Sequence, residues 1–288
     1  MEKNEDRTCL YIYAHIPKCA GTTLTYHLEQ NFPRDVLMPL YNYKFYNHAA
    51  GRFEKPGNYN AIHAHLCSLS PTIKGRIRFA YGHHAYYGTH AFFPQPVRYI
   101  TFLRNPVPRV VSTYYQYRRR HQLNLPLGSW AGMPPNLPFD EWLDSGHPRI
   151  SNHMTRFLCR QSDEDLRDPK PMNRTHLERA KQNLEQFFYV GITEKTTLDF
   201  SYLFDIFGVK KFFKGRNITP DRTVGVTLEV VDTISSKNML DRELYEHARA
   251  INRQQRASLP GFWPRAGRTW FRRNVLSLRE PSHIDFMG

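Results

Sequence analysis

The sequence predicts an α/β fold of three layers, in which a central parallel sheet is flanked by helices. Two patterns predict this fold. Four short apolar runs are typical of buried strands, and they cover residues 10–15, 77–81, 97–103 and 189–192. Segments with helical periodicity lie between and after these runs, and strands that alternate with helices favour a parallel sheet.

The helices follow from the spacing of apolar residues. A turn over residues 17–23 leads into a predicted helix over 23–31, in which Leu24 and Leu28 lie one turn apart. Further predicted helices begin at Pro106 and cover residues 177–188, 198–207 and 238–256.

Two stretches carry no clear pattern. Residues 31–75 are rich in Tyr, Asn and His but show no periodicity. Residues 122–138 are rich in Pro, Gly and Leu and predict a long surface loop. Because long loops in compact domains usually serve a function, we expect this loop to contribute to ligand specificity.

The composition is that of one globular domain with a basic surface. Apolar residues make up 40% of the 288 residues, which excludes a wholly disordered chain. We expect a single domain over 1–288, with a flexible N-terminus at 1–9 and a basic C-terminal tail at 260–288. Forty Lys and Arg against 26 Asp and Glu give a net charge of +14, which indicates a polyanionic partner.

The four cysteines show no C-x-x-C pair, and we expect reduced thiols. No run of the sequence approaches the ~18 apolar residues of a membrane span. We therefore expect a cytoplasmic protein, or a Golgi-lumenal one if the chain is a trimmed ectodomain.

The first candidate site is the segment 11–24, YIYAHIPKCAGTTL. A strand, a tight turn and a helix present backbone N–H groups and a helix N-terminus to a phosphate, as in a P-loop-like fold. Lys18 adds a charge, Gly21 allows close approach of the backbone, and Thr22 and Thr23 add hydroxyls. The order of Lys and Gly is not that of a Walker A loop. An ordinary capped turn with a solvated Lys18 is the alternative.

The second candidate site is the segment 98–112, RYITFLRNPVPRVVS. Arg104 follows a strand, where ligands bind in open α/β sheets. Asn105 can cap the next helix and Pro106 suits its first position. Ser112 lies about two turns into this helix, and an arginine with a hydroxyl suits a phosphate dianion. The alternative is that Arg104 pairs with a carboxylate.

Together these segments resemble the carbohydrate sulfotransferases that use 3'-phosphoadenosine-5'-phosphosulfate (PAPS), in particular the heparan sulfate uronosyl 2-O-sulfotransferase-like branch. The resemblance continues in Tyr81–Tyr86 (YGHHAY), in 152–158, in 180–194 and in 214–220. It spans roughly residues 10–255 in order, and the conjunction is more specific than any single motif.

The resemblance implies a role for each motif. Residues 18–23 would bind the 5'-phosphosulfate, and this set comprises Lys18, Cys19, Ala20, Gly21, Thr22 and Thr23. Arg104 and Ser112 would bind the 3'-phosphate, and Arg216 would help to close a loop over the nucleotide. His83 would be the general base for a carbohydrate hydroxyl, and Lys18 would stabilise the leaving group, with PAP as product and no metal required.

Several assignments stay open at this point. His84 is the rival for the base, because adjacent residues on an extended segment point in opposite directions. Arg118 and Arg119, with Arg120, are candidates for acceptor binding. A metal site is the alternative for the histidines, since in a strand the H-x-H pair His63 and His65 would share one face. This site would also include His83, His84 and His90.

Two other functions compete with sulfuryl transfer. A metal-dependent P-loop phosphotransferase would need ATP and Mg²⁺, but the Walker pattern is missing. A non-catalytic polyanion-binding protein would explain the charge, but no helix-turn-helix, zinc finger or RNP-like motif is evident, so no nucleic-acid partner is expected.

The C-terminal tail interleaves Arg265, Arg268 and Arg272 with Trp270 and Phe271. A solvated helix face is the ordinary interpretation. Contact with an anionic glycan or a membrane surface is the alternative.

Overall fold

The structure is a computed structural model of the chain. It describes residues 9–41, 45–48, 50–54, 59–125, 130, 132–160, 170–213, 226–276 and 278–279. The prediction of a flexible N-terminus concerns residues 1–8 almost entirely, and these residues, like Arg216, lie outside the described ones.

Within this part of the chain, the strands are β1 (Leu10–Ala14), β2 (Leu37–Pro39), β3 (Phe45–Asn47), β4 (Arg52–Glu54), β5 (Phe79–Gly82), β6 (Val97–Leu103), β7 (Tyr189–Ile192), β8 (Phe212–Phe213) and β9 (Leu278–Arg279). The central sheet has the order β2-β5-β1-β6-β7, and all of its pairings are parallel. The antiparallel pair β3–β4 and the parallel pair β8–β9 stand apart from it.

The helices are α1 (Gly21–Asn31), α2 (Tyr59–Ser68), α3 (Pro71–Arg76), α4 (Pro106–Gln122), α5 (Phe139–Asp144), α6 (His153–Cys159), α7 (Arg174–Glu185), α8 (Thr196–Phe207), α9 (Leu228–Lys237), α10 (Met239–Ser258) and α11 (Phe262–Phe271). Short 3-10 turns cover Arg34–Val36, Thr89–Phe92 and Thr193–Lys195.

The predicted three-layer α/β fold is confirmed. Helix α8 covers one face of the sheet, where the ring of Phe207 lies 4.9 Å from that of Tyr11. The residues that follow α7 cover the other face, where Phe187 lies 5.1 Å from Tyr99. The four predicted strands correspond to β1, β5, β6 and β7 of the central sheet.

The unpatterned stretch 31–75 contains β2, the β3–β4 hairpin, α2 and α3. These elements are too short for their apolar periodicity to be recognised in the sequence. Strand β2 completes the sheet by pairing with β5, with Leu37 opposite Phe79.

The apolar core has two parts. The larger one packs around the central sheet. The second core lies beside α4, between the outer half of that helix and residues 130–150, and Trp130 and Trp142 are its largest side chains. The prediction of a surface loop over 122–138 is therefore wrong at Trp130, which is 1% exposed because it packs in this second core.

The C-terminal region contains a packed helix. The ring of Phe262 at the start of α11 lies 4.7 Å from Tyr202 of α8, and Thr269 donates a hydrogen bond to Asp205 at 3.3 Å. Trp263, Trp270 and Phe271 remain exposed. None of the helices in the described ranges has both the length and the apolar content required to span a membrane.

Candidate functional site

The two phosphate-binding motifs and the Gly-His segment meet at one edge of the sheet. Ala14 at the end of β1 pairs with Gly82 of β5 and with Thr101 of β6. The Thr101 hydroxyl also donates to the Ala14 carbonyl at 2.8 Å. Because these strands are parallel, the residues that follow each of them lie together at the carboxyl edge, where open α/β sheets bind ligands.

The loop between β1 and α1 has an unusual backbone. Lys18 and Ala20 adopt left-handed conformations with φ values of 69° and 61°. Non-glycine residues in this region are strained, and such strain is concentrated at ligand sites. Alternating backbone conformations of this kind turn successive N–H groups toward an anion, and the first amides of α1 extend the same surface. The loop therefore has the shape of a phosphate cradle.

Gly21 has a packing role in addition to the expected one. A β-carbon at this position would lie 2.0 Å from Cδ2 of His15, so only glycine leaves room for that imidazole. That Gly21 also allows close approach of a ligand stays a prediction.

Lys18 is half-buried within a group of cations. Burial and the neighbouring Arg104 and Arg149 lower the pKa of Lys18 to about 8. Arg104 donates from Nη1 to the Lys18 carbonyl at 3.2 Å, so the arginine that ends β6 is joined to the loop that follows β1. Positive charge is therefore concentrated around Lys18, where a bound anion would neutralise it.

The helix after β6 begins as predicted. The Asn105 side chain accepts a hydrogen bond from Val107 N at 3.0 Å, and Pro106 is the first helical residue. Ser112 is half-buried on α4. Cys19 is fully buried, and burial raises the pKa of its thiol to about 12. Its backbone N–H donates to the Ile16 carbonyl at 3.2 Å.

His83 has a fixed tautomer. Its Nδ1 lies 2.8 Å from the carbonyl oxygen of His15. Since a carbonyl can only accept, Nδ1 carries the proton and Nε2 keeps its lone pair. Burial, together with Arg149, Arg160 and Arg120, lowers the pKa of His83 to about 3. The imidazole is neutral at pH 7 and can accept a proton at Nε2.

Three residues that sequence reasoning missed support this histidine. The His15 ring packs against His83 with 4.5 Å between centroids, and its Nδ1 lies 2.8 Å from the Tyr41 hydroxyl. Arg160 is 1% exposed and donates from Nη2 to the carbonyls of His83 and Ala85, both at 2.7 Å. The one sequence signal was the position of His15, directly after a strand and three residues before Lys18.

The other candidates lie in different settings. His83 and His84 follow β5 in a turn rather than in an extended strand, and both are half-buried. The alternating side-chain direction of a strand therefore does not decide which of the two is the base. Arg118 lies over the ring of Tyr114 at 5.9 Å. Arg119 is close enough to Lys18 to lower its pKa. Thr22 and Thr23 lie in the first turn of α1.

The H-x-H pair lies on a helix. His63 and His65 belong to α2, where residues two apart do not share a face, so the strand geometry considered for them is wrong. Among the described ranges, no three His, Cys, Asp or Glu side chains come together in the manner of a metal site.

Comparison with known proteins adds three findings. The model of the sulfotransferase family matches residues 6–222. The chain is 25% identical over 277 residues to heparan-sulfate 6-O-sulfotransferase 2 of Homo sapiens, which covers 84% of this chain and 44% of that protein. It is 26% identical over 282 residues to heparan-sulfate 6-O-sulfotransferase 1 of Gallus gallus, covering 86% of this chain and 66% of the relative.

The chain thus spans about half to two thirds of the length of these relatives. A crystal structure of a sulfotransferase from Alicyclobacillus acidocaldarius superposes with a TM-score of 0.45 at 17% identity, over 84% of this chain and 95% of that one.

Proposed function

This chain belongs to the sulfotransferase family, and we propose that it transfers a sulfuryl group from PAPS to a hydroxyl of a carbohydrate. The observation that carries the proposal is the meeting, at one sheet edge, of a strained cationic loop and a neutral imidazole. His83 donates through Nδ1 to the carbonyl of His15, three residues before Lys18. A group held by the loop would therefore lie beside a base.

The acceptor class comes from the relatives, which are named heparan-sulfate 6-O-sulfotransferases. The predicted membership of a carbohydrate sulfotransferase family is confirmed by the family match and these relatives. The 2-O branch is not, because the matched relatives carry 6-O names. We take a heparan-type glycan as the acceptor to test.

The residues at the sheet edge fit the nucleotide. The loop Lys18–Thr23 offers backbone N–H groups, an ammonium and two hydroxyls to the 5'-phosphate. Arg104 and Ser112 offer a guanidinium and a hydroxyl to the 3'-phosphate from β6 and α4. The donor supplies a sulfuryl group whose sulfur–oxygen bond to the 5'-phosphate breaks as a bond to the acceptor oxygen forms.

His83 and Lys18 share the remaining work. His83 takes the hydroxyl proton at Nε2, which the hydrogen bond at Nδ1 leaves available. Lys18 neutralises negative charge on the 5'-phosphate oxygens, and its position within a largely buried site strengthens that effect. Arg160 holds the His83 carbonyl and so fixes where the imidazole lies. The scheme needs no metal, since Lys18 and Arg104 provide the positive charge.

Calorimetric titration with PAP, beside ATP with Mg²⁺, tests the donor site. The wild type is expected to bind PAP without metal, and Lys18→Ala and Arg104→Ala to lose at least about tenfold in affinity, as expected for hydrogen bonds to charged groups. Arg179→Ala, an exposed arginine of α7, is the control and should bind normally. Binding of ATP–Mg²⁺ in place of PAP, or of neither, would overturn the proposal.

A further inference from the structure

A compact group of polar and aromatic side chains lies beside the proposed site and has no role in it so far. The rings of Trp130 and His147 stack with 4.1 Å between centroids. The guanidinium of Arg149 lies 5.7 Å from the Trp130 ring, and Arg149 N donates to Nδ1 of His147 at 3.1 Å. His153 begins helix α6 four residues later. We call these four residues the Arg149 cluster.

The backbone of the cluster is held rigidly. Arg109 is fully buried on α4 and donates to the carbonyls of Arg149 at 3.0 Å and Ile150 at 3.3 Å. Its Nε lies 4.0 Å from Asp241, which also accepts from the backbone N–H groups of Met154 and Thr155. A buried pair of charges therefore fixes the loop that presents Arg149 and His153.

The same contacts place the cluster between the loop that carries Lys18 and the segment that carries His83. On one side, Arg109 lies on the helix that starts directly after Arg104, the residue bonded to the Lys18 carbonyl. On the other side, α6 ends at Cys159, and the next residue, Arg160, donates to the His83 carbonyl. In agreement with this position, Arg149 lowers the pKa of both Lys18 and His83.

Two members of the cluster are buried with unused hydrogen-bonding atoms. His153 is 4% exposed, and neither of its ring nitrogens has a partner among the described residues. The indole N–H of Trp130, which is 1% exposed, likewise has none within that part of the chain. Leaving such groups unpaired costs stability, and natural proteins do so chiefly where a ligand or water completes the bonding.

The chemistry of the cluster selects its ligand. Arg149 and the Trp130 indole can only donate hydrogen bonds. Asp241, the acid that pairs with Arg109 beneath the cluster, is already engaged by Arg109, Met154 and Thr155. A group with several acceptor oxygens and a negative charge matches this set, and a carboxylate or a sulfate ester of a sugar has both.

We infer that the Arg149 cluster binds an oxyanionic group, carboxylate or sulfate, on the acceptor glycan, next to the sugar whose hydroxyl reacts at His83. This inference rests on the proposed function and adds to it a reason for preferring an anionic acceptor. The half-buried ring of His147, which stacks on the buried Trp130, is the aromatic surface against which the sugar bearing that group packs.

Calorimetry on the PAP complex tests the inference with three probes: a heparan-type hexasaccharide, its carboxyl-reduced form and its desulfated form. The wild type should bind the first at least about tenfold more tightly than the form that lacks the recognised anion, and the weaker form identifies that anion. Arg149→Gln should lose this preference and Arg149→Lys should keep part of it, with every titration made at saturating PAP. Arg179→Gln removes the same charge from an exposed site on α7 and should change nothing.

Equal wild-type binding of all three probes would overturn the inference. So would a folded Arg149→Gln protein that keeps the preference. His153→Phe gives a second route, since it removes the unpaired imidazole, and it should weaken binding of the anionic probe alone. A wild type that binds no PAP would instead overturn the proposed function, and the same titrations without nucleotide would still decide the role of the cluster.

Discussion

Two buried histidines show how differently two parts of the molecule are built. We call these parts the donor side, which comprises the β1–α1 loop, α1 and His83, and the acceptor side, which is the Arg149 cluster, after their proposed functions. His27 of α1 is fully buried, and both of its nitrogens are bonded, to Thr23 O at 2.7 Å and by Phe213 N at 3.1 Å. His153, on the acceptor side, is 4% exposed with neither nitrogen bonded to a described residue. Burial lowers the pKa of both, so both are neutral.

The difference shows how the buried polar groups on each side are hydrogen-bonded. On the donor side the chain itself bonds both nitrogens of His27 and Nδ1 of His83, so these imidazoles are positioned before any ligand binds. On the acceptor side polar groups are buried at a cost in stability that a ligand would offset. The buried pair Arg109–Asp241 joins the two sides.

Asp241→Ala removes the Arg109–Asp241 ion pair and should have the largest effect on stability. It leaves Arg109 as an uncompensated buried charge and removes the acceptor of Met154 N and Thr155 N. We expect a loss of about 3–5 kcal/mol in the free energy of unfolding, measured by urea denaturation. Asp140→Ala, at an exposed position on α5, is the control. A loss as small as that of the control would show that this ion pair does not hold the two sides together.

Stability should depend on pH through the buried histidines. The pKa of His27 is lowered to about 4 by burial, against 6.5 in an unfolded chain. Below pH 6.5 the unfolded state takes up a proton that the folded state refuses, so stability is greatest above pH 6.5 and falls until about pH 4. The contribution of His27 is up to about 3 kcal/mol.

Denaturation curves at pH 7 and pH 4.5 measure this, and His27→Gln should reduce the difference between them. His83, His15 and His153 act in the same direction, because burial lowers the pKa of each. An unchanged pH dependence in His27→Gln would contradict the burial of a neutral His27.

Replacing each of the two histidines by Phe sharpens the comparison with a smaller effect. His27→Phe leaves Phe213 N without its acceptor and should destabilise the protein by about 1–3 kcal/mol. His153→Phe removes a group that has no hydrogen-bond partner among the described residues, and it should leave the ligand-free protein unchanged or up to about 1 kcal/mol more stable. Thermal denaturation of the two variants side by side measures this difference in stability, and equal destabilisation would contradict it.

The sequence predicted the elements whose signals are local. The strand, turn and helix over residues 10–31 and the cap at Asn105 depend on neighbouring residues, and the structure contains them, although α1 starts at Gly21 rather than at 23. Strand β2 escaped prediction because three residues carry no period, and its place in the sheet depends on pairing with β5.

The supports of the proposed base could not be predicted, because they are brought together from distant parts of the chain. His15 and Tyr41 are 26 positions apart, and Arg160 is 77 positions from His83. The same holds for Arg109 and Asp241, whose side chains meet only after α4 and α10 pack. A single sequence contains no spacing rule for such contacts.

The transfer of labelled sulfate from PAPS to a heparan-type hexasaccharide tests the central claim most directly, with the wild type, His83→Ala and His84→Ala compared in single turnovers. The account predicts that label reaches the glycan, that His83→Ala is slower by about 10²–10⁴-fold while binding PAP normally, and that His84→Ala changes the rate by less than about tenfold. Transfer by His83→Ala at the wild-type rate, or no transfer by the wild type, would contradict it.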